Sequence, residues 1–203
     1  MVNSRGRRLA ALAGLAGALG WTIAIPDGAA SATNFGSTSC GGTPRNCVNL
    51  LSDANGGASV GFFQVGTGFR NAIVNRMTTT YSSTNTDIEF TDIGNSTPSQ
   101  GVLVWEVNNP AASFVAWVDC YAGSAGSDPS RTCQVSALYV NNDNINTSTG
   151  GNTNYQRGVA CHELGHTVGL RHTSGTTCMV NPASSSRLSL VQHDRDHLKA
   201  QYK

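Results

Sequence analysis

The chain has 203 residues, of which 12% are charged, and a formal net charge of +1 at pH 7. This near-neutral balance excludes the strongly basic surface that nucleic acid or an anionic membrane would require, so neither partner is expected. The length suits a single domain with a workable hydrophobic core.

Residues 1–32 have the pattern of a secretory signal peptide. A basic segment with three arginines precedes the apolar stretch 9–25, and residues 30–32 form an A-x-A cleavage site. The alternative, a transmembrane anchor, is disfavoured because the apolar stretch is short and interrupted by glycines. Cleavage leaves residues 33–203 as one secreted, extracellular domain with 10 basic and 11 acidic side chains and no expected membrane association.

All six cysteines lie in this mature part, an even number in an oxidising compartment, which predicts disulfides. Sequence alone leaves the connectivity open, and proximity favours the pairs Cys40–Cys47, Cys120–Cys133 and Cys161–Cys178. A role for one cysteine as a metal ligand remains an alternative.

Downstream of the first cysteine pair, hydrophobic periodicity predicts one helix followed by strands. The helix spans about residues 66–80, with apolar side chains spaced as on a helix that lies against a sheet. The strand candidates, separated by turn-forming residues, are 86–93, 102–107, 114–121 and 134–140.

Two polar segments offer oxygen atoms to a calcium ion. One is the asparagine-rich stretch 141–144 with Asn146 nearby, and the other contains Asp87, Glu89 and Asp92. In each case a solvated polar turn is the alternative.

The stretch 161–172 reads C-H-E-L-G-H-T-V-G-L-R-H and contains three of the five histidines. On a helix, His162 and His166 are i and i+4, so both side chains point from one face, at the spacing with which two imidazoles bind one zinc ion. Glu163 lies about 100° round the helix from His162. Its carboxylate can take a proton from a water molecule at the metal.

This helix is expected to begin near Asn154, with Thr153 or Asn154 as its N-cap. The same stretch predicts where the helix ends. Gly169 adopts the left-handed conformation of a helix C-terminus at little steric cost. The chain then turns back and presents His172 as a third ligand. Three protein ligands with an open fourth position are the pattern of a catalytic zinc site.

The pattern H-E-x-x-H-x-x-G-x-x-H, followed seven residues later by Met179, resembles the metzincin superfamily of zinc endopeptidases and, within it, the matrixins. The resemblance implies one catalytic Zn²⁺ on the three histidines and Glu163 as the general base for a zinc-activated water. It also implies that Met179 forms an apolar floor under the histidines, the Met-turn of the family.

The resemblance further implies an α+β fold with a twisted mixed β-sheet and two main helices in an upper subdomain, residues 33–169. An active-site cleft would separate it from a small lower subdomain, residues 170–203, with the Met-turn and a terminal helix. In the family, substrate lies along an exposed edge strand, which corresponds here to 114–121. The segment Asn181-Pro182 resembles the wall of the specificity pocket.

A capping box S-x-x-Q at 189–192 predicts a terminal helix over 188–202. By its match to the C-terminal helix of matrixins, Asp194 is the candidate support residue that hydrogen-bonds the Met-turn. His193 and His197, also i and i+4, either bind a second metal ion or form a solvated face.

The sequence therefore predicts a secreted, monomeric, zinc-dependent endopeptidase that acts on protein or peptide substrates. One alternative is a secreted, zinc-stabilised binding protein without turnover. Glu163 argues against it, because a purely structural site has no use for a carboxylate beside an open ligand position. A second alternative is a hydrolase of non-protein amides or of cell-wall peptides.

Overall fold

A computed structural model describes residues 50–51, 57–123, 132–147 and 151–202. The predicted signal peptide and the predicted Cys40–Cys47 pair lie outside these residues. The described elements are, in chain order, β1 (Leu50–Leu51), β2 (Gly57–Phe63), α1 (Thr67–Thr79), α2 (Ser83–Thr86), β3 (Glu89–Asp92), β4 (Gly101–Val107), β5 (Ala116–Gly123), β6 (Thr132–Asn141), α3 (Asn142–Thr147), α4 (Thr153–Thr167) and α5 (Gln192–Gln201). These strands and helices confirm the predicted α+β class.

The described strands form one mixed sheet in the order β1-β6-β4-β2-β3, with β5 paired to β6. β2, β4 and β6 run parallel, so that Val60 lies opposite Val102, and Val102 opposite Ser136. β5 is antiparallel to β6, with Val118 opposite Leu138. β6 is the one described strand that pairs with β5, so among the described residues the other edge of β5 has no partner strand.

The two faces of the sheet differ in burial, as the side-chain alternation of a strand requires. On β2, Phe62 is 1% exposed and Phe63 is 41% exposed. The inner face joins the core under the helices. The outer face carries a cross-strand row of aromatic side chains in the order Phe63, Trp105, Tyr139 and Trp117.

The predicted helix at about 66–80 is confirmed as α1. It buries Phe69, Ile73 and Met77, which are spaced at i, i+4 and i+8 and so lie on one face. That face contributes to the same hydrophobic core as α4. None of the described helices combines the length and the apolar character needed to cross a bilayer.

The predicted strand at 86–93 is wrong in extent. The short helix α2 occupies its start and ends at Asp87 in the left-handed conformation, with φ of 60°. The strand that follows, β3, has four residues, and none of their side chains is buried. Ile88 is 2% exposed and Phe90 packs partly buried against the core, so the alternation does mark an inward face although the strand is shorter than predicted.

The predicted capping box at 189–192 is also wrong. Helix α5 begins at Gln192 behind Val191, which is extended and makes no side-chain cap hydrogen bond. The carbonyl of Ser189 instead accepts a hydrogen bond from the N–H of Cys178 at 2.9 Å. This long-range contact holds Ser189 outside the helix.

Candidate active site

Helix α4 carries the first two histidines of the motif, and Asn152 fixes its start. The side chain of Asn152 accepts hydrogen bonds from the N–H groups of Asn154 at 2.9 Å and Tyr155 at 3.2 Å. The predicted N-cap, Thr153 or Asn154, lies one or two residues after the observed N-cap, Asn152. From 158 to 167 every residue of α4 is buried, so the histidines project from a fully packed helix.

The end of α4 is confirmed at the predicted glycine. Gly169 has a φ of 97°, and its N–H lies 3.4 Å from the carbonyl oxygen of His166. The N–H of Leu170 donates to the carbonyl of Gly165 at 2.8 Å. These two bonds form a Schellman motif, which reverses the chain and brings His172 back towards the helix.

The three motif histidines converge on one point. The Nε2 atom of His162 lies 3.0 Å from that of His166 and 3.0 Å from that of His172, and the remaining separation is 3.1 Å. His162 and His166 are buried, whereas His172 is exposed at the cleft. Three nitrogen atoms in a triangle of this size can hold one metal ion.

Hydrogen bonds fix the tautomers of the two buried rings. Nδ1 of His162 lies 2.9 Å from the carbonyl oxygen of Cys178, and Nδ1 of His166 lies 2.7 Å from that of Leu170. A carbonyl only accepts, so each Nδ1 carries the hydrogen and each Nε2 presents a lone pair. Facing lone pairs repel unless a cation lies between them. Nitrogen ligands about 2.0–2.1 Å from a tetrahedral zinc ion are roughly 3.3–3.4 Å apart, so these residues fit zinc closely.

Burial keeps the triad in the form that binds metal. Desolvation lowers the pKa of His162 to about 4, with a smaller lowering from nearby His172 and an opposing effect of the Cys178 carbonyl. Desolvation also lowers the pKa of His166 and of His172. The imidazoles are therefore neutral at pH 7, as metal ligation requires.

Glu163 is a buried carboxylate beside the triad. Among the described residues its Oε2 atom has no hydrogen-bond partner. Burial raises the pKa of Glu163 to about 8, and a nearby cation would lower it again. A buried acceptor without a partner on the wall of a cleft is suited to take up a proton.

Met179 packs against the helix that carries the histidine pair. Its side chain is fully buried and packs against α4 at Gly165, the residue before His166. Its carbonyl accepts a hydrogen bond from the N–H of Thr173 at 3.1 Å. The segment around Met179 thus contacts α4 between the two histidines.

Asp194 reaches this segment through a threonine. Its Oδ2 atom accepts a hydrogen bond from the hydroxyl of Thr177 at 2.6 Å. The same hydroxyl oxygen accepts from the N–H of Met179 at 3.3 Å. A fully buried carboxylate on α5 is therefore linked to the segment of Met179.

Two of the three predicted disulfides form in the described residues. Cys120 and Cys133 join β5 to β6, with their Cα atoms 5.7 Å apart. Cys161 and Cys178 join α4 to the segment of Met179, with their Cα atoms 6.0 Å apart. Because Cys178 also supplies the carbonyl that holds His162, the second bridge ties the ligand helix to its support.

A cleft of about 610 Å³ opens above the triad. One wall is the segment 113–118, which leads into and begins the edge strand β5. The opposite wall is the segment 181–183, which contains the predicted specificity wall Asn181-Pro182. Glu163 and the three histidines lie along the cleft.

Sequence reasoning missed several residues of this site. Tyr155 and Val159 line the cleft and lie on the face of α4 that carries the histidines, so helical periodicity could have found them. Buried Tyr81 donates a hydrogen bond to the carbonyl of Cys161 at 2.6 Å. No sequence signal marks Tyr81, because it lies 80 positions away from its partner.

Calcium is not supported at either predicted segment. Among the described residues, the histidine triad is the one cluster of three or more His, Cys, Asp or Glu ligands found close together. The side chains of Asn141 and Asn144 donate to the carbonyl of Phe114 at 3.3 and 2.7 Å, so their amides hold the approach to β5. Asp92 forms an ion pair with Arg70 at 3.1 Å.

No protein-family model and no curated protein matches the chain. Solved structures with a similar fold include myroilysin, which is 15% identical, with a TM-score of 0.47 over 73% of this chain and 80% of that one. Archaemetzincin from Archaeoglobus fulgidus, in complex with malonate, is 12% identical, with a TM-score of 0.42 over 69% of this chain and 98% of that one. High choriolytic enzyme 1, a hatching enzyme zinc-protease from Oryzias latipes (medaka fish), is 18% identical, with a TM-score of 0.35 over 67% of this chain and 54% of that one. Since all three TM-scores lie below 0.5, the function of this chain has to follow from the geometry of its own site.

Proposed function

We propose that residues 33–203 form the catalytic domain of a secreted, zinc-dependent endopeptidase that hydrolyses protein or peptide substrates. The observation that carries the proposal is the convergence of three imidazole nitrogens beside a buried, unpartnered carboxylate in an open cleft. The disulfides support secretion, because such bonds persist in oxidising compartments. We place residues 33–169 above the cleft and 170–203 below it.

The triad would hold the zinc ion through the Nε2 atoms of His162, His166 and His172. When bound, the ion supplies a Lewis acid that polarises a carbonyl group and makes water more acidic. The carbonyls of Cys178 and Leu170 orient the two buried rings through Nδ1, which also increases their basicity as ligands.

Glu163 would act as the general base. Its Oε2 atom takes the proton of the attacking water and then returns it to the leaving amine of the cleaved peptide bond. Burial alone raises the pKa of this carboxyl to about 8, and the zinc ion beside it would lower that pKa, so that Glu163 is ionised and able to accept the proton near neutral pH.

The open edge of β5 would bind the substrate backbone. A peptide that adds to an edge strand gains main-chain hydrogen bonds and little side-chain selectivity. Selectivity would then come from the opposite wall at 181–183.

Glu163→Gln tests the proposal. The variant removes the base but keeps the size of the side chain, so we expect the zinc content and circular dichroism spectrum of the parent and a loss of casein hydrolysis of about 10²–10⁴-fold. Glu89→Gln, an exposed carboxylate change on β3, is the matched control and should keep parental activity.

Parental casein cleavage by the Glu163→Gln protein would show that this residue is not the base. If the parent itself binds zinc but shows no chelator-sensitive hydrolysis, the chain is a binding protein instead.

A further inference from the structure

A second pair of histidines, outside the active site, has the same geometry as the pair His162 and His166 on α4. His193 and His197 are one turn apart on α5, with Nε2 atoms 3.0 Å apart, ring centroids 4.5 Å apart and an interplanar angle of 90°. For His162 and His166 on α4 the corresponding values are 3.0 Å, 4.6 Å and 87°. The second pair therefore aims two ring nitrogens at one point, as the first pair does.

The helix that carries this second pair is firmly anchored. Between the two histidines, Asp194 is fully buried and accepts the hydrogen bond of Thr177 at 2.6 Å. Leu198, next to His197, is also fully buried. The two rings are half-buried, so they stand on a fixed helix and still border solvent.

Two acidic residues lie between the two histidines along α5. Asp194 follows His193 and Asp196 precedes His197, with Arg195 between the two carboxylates. Asp196 is exposed and accepts a hydrogen bond from the side chain of Gln192 at 2.7 Å. A positive ion at the two imidazoles would thus lie near acidic groups.

We propose that His193 and His197 bind one divalent transition-metal ion through their Nε2 atoms, at a site separate from the catalytic triad. Neutral imidazole is a preferred ligand of zinc, copper and nickel, and water would complete the coordination. With two protein ligands instead of three, the site binds more weakly than the triad. It is independent of the proposed peptidase activity, because the ligands lie on another helix.

An ion bound by His193 and His197 would bridge one turn of α5, the turn that contains Asp194. A metal link between i and i+4 holds that turn in helical form, and a short helix depends on such external contacts. Ion binding at the second site should therefore raise the thermal unfolding midpoint of a protein whose triad is already filled.

Equilibrium dialysis of the mature chain against increasing Zn²⁺, with the bound metal measured by mass spectrometry, tests the proposal. We expect two zinc ions per chain in the parent and one in His193→Asn/His197→Asn, with at least a tenfold weaker second site in either single variant. Gln201→Asn, an exposed change on the same helix, should keep both ions. Circular dichroism shows whether each variant is folded.

A simple hydrogen bond between two neutral imidazoles also gives a 3.0 Å separation, and the titration separates the two cases. One zinc ion per parent chain across the whole titration would overturn the second site, and so would two ions in the double variant. If the double variant does not fold, the single variants and the parent stoichiometry decide the question. If the peptidase proposal is wrong, the parent protein shows no chelator-sensitive casein hydrolysis. If the second-site proposal is wrong, the number of zinc ions bound per chain does not depend on His193 and His197.

Discussion

Gly165 stands between the two histidines of α4, and its missing side chain makes room for the floor of the site. A Cβ atom there would lie 2.3 Å from Sδ of Met179 and 2.8 Å from the hydroxyl oxygen of Tyr81. Both neighbours are fully buried, so neither can move without disturbing the core. A position that helix propensity alone would give to alanine is therefore restricted to glycine by packing.

We expect Gly165→Ala to lower the free energy of unfolding of the zinc-loaded protein by about 2 kcal/mol, as overpacking of a dense core does. Urea denaturation measures this change. Gly68→Ala on α1 is the control, because its Cβ would meet the end of the Gln156 side chain at 3.1 Å, which can rotate away. Gly68→Ala should be neutral or stabilise by up to about 1 kcal/mol. Equal effects at the two glycines would contradict the packing argument.

At the scale of elements, the Cys161–Cys178 bridge connects the helix that supplies two ligands to the segment that supports them. It closes a loop with a sequence separation of 17. The carbonyl of Cys178 holds His162 at 2.9 Å, so the position of this segment sets the orientation of a ligand ring. The bridge should therefore affect both global stability and metal affinity.

We expect Cys161→Ala/Cys178→Ala to lower the free energy of unfolding by about 3 kcal/mol and to weaken zinc binding. The comparison variant is Cys120→Ala/Cys133→Ala, which opens a bridge of similar separation, 13, between β5 and β6. It should destabilise the protein while leaving zinc affinity unchanged. Chemical denaturation measures the stability, and competition for zinc with a chromophoric chelator measures the zinc affinity. An equal loss of zinc affinity in both variants would contradict the argument that the Cys178 segment sets the orientation of His162.

Local sequence patterns correctly predicted the elements that are determined by interactions between residues close together in the chain. The helix at 67–79 follows from its apolar periodicity, and the end of α4 follows from the freedom of Gly169 at positive φ. The convergence of the histidines followed from spacing on α4 together with that reversal. Each of these depends on contacts within a few residues, which a sequence displays directly.

Long-range contacts decided the elements that were predicted wrongly or not at all. Ser189 failed as a cap because its carbonyl bonds Cys178, which no local pattern shows. The side chain of Arg76 donates to the carbonyl of Leu188 at 2.6 Å, across 112 positions. Tyr81 reaches Cys161 in a similar way. Such contacts are fixed only when the elements pack together.

At the scale of the whole molecule, Tyr202 joins three distant parts of the chain. Its hydroxyl accepts a hydrogen bond from the N–H of Leu51 at 3.1 Å and donates to the carbonyl of Val168 at 3.2 Å. The side chain is 2% exposed, so both bonds are shielded from water. Tyr202 thereby ties the segment after α5 to β1 and to Val168, the residue that follows α4.

We expect Tyr202→Phe to lower the free energy of unfolding by about 1–3 kcal/mol, because the change leaves a buried N–H and a buried carbonyl without their partner. The control is Tyr121→Phe, which removes a hydroxyl from a side chain that is 55% exposed and should have almost no effect. If the parts above and below the cleft unfold as one unit, the urea transition of Tyr202→Phe moves to a lower midpoint with an unchanged slope. A second, separate transition in this variant would instead show that residues 170–203 unfold independently. The connection between α4 and the segment of Met179 would then have to come from the Cys161–Cys178 bridge alone.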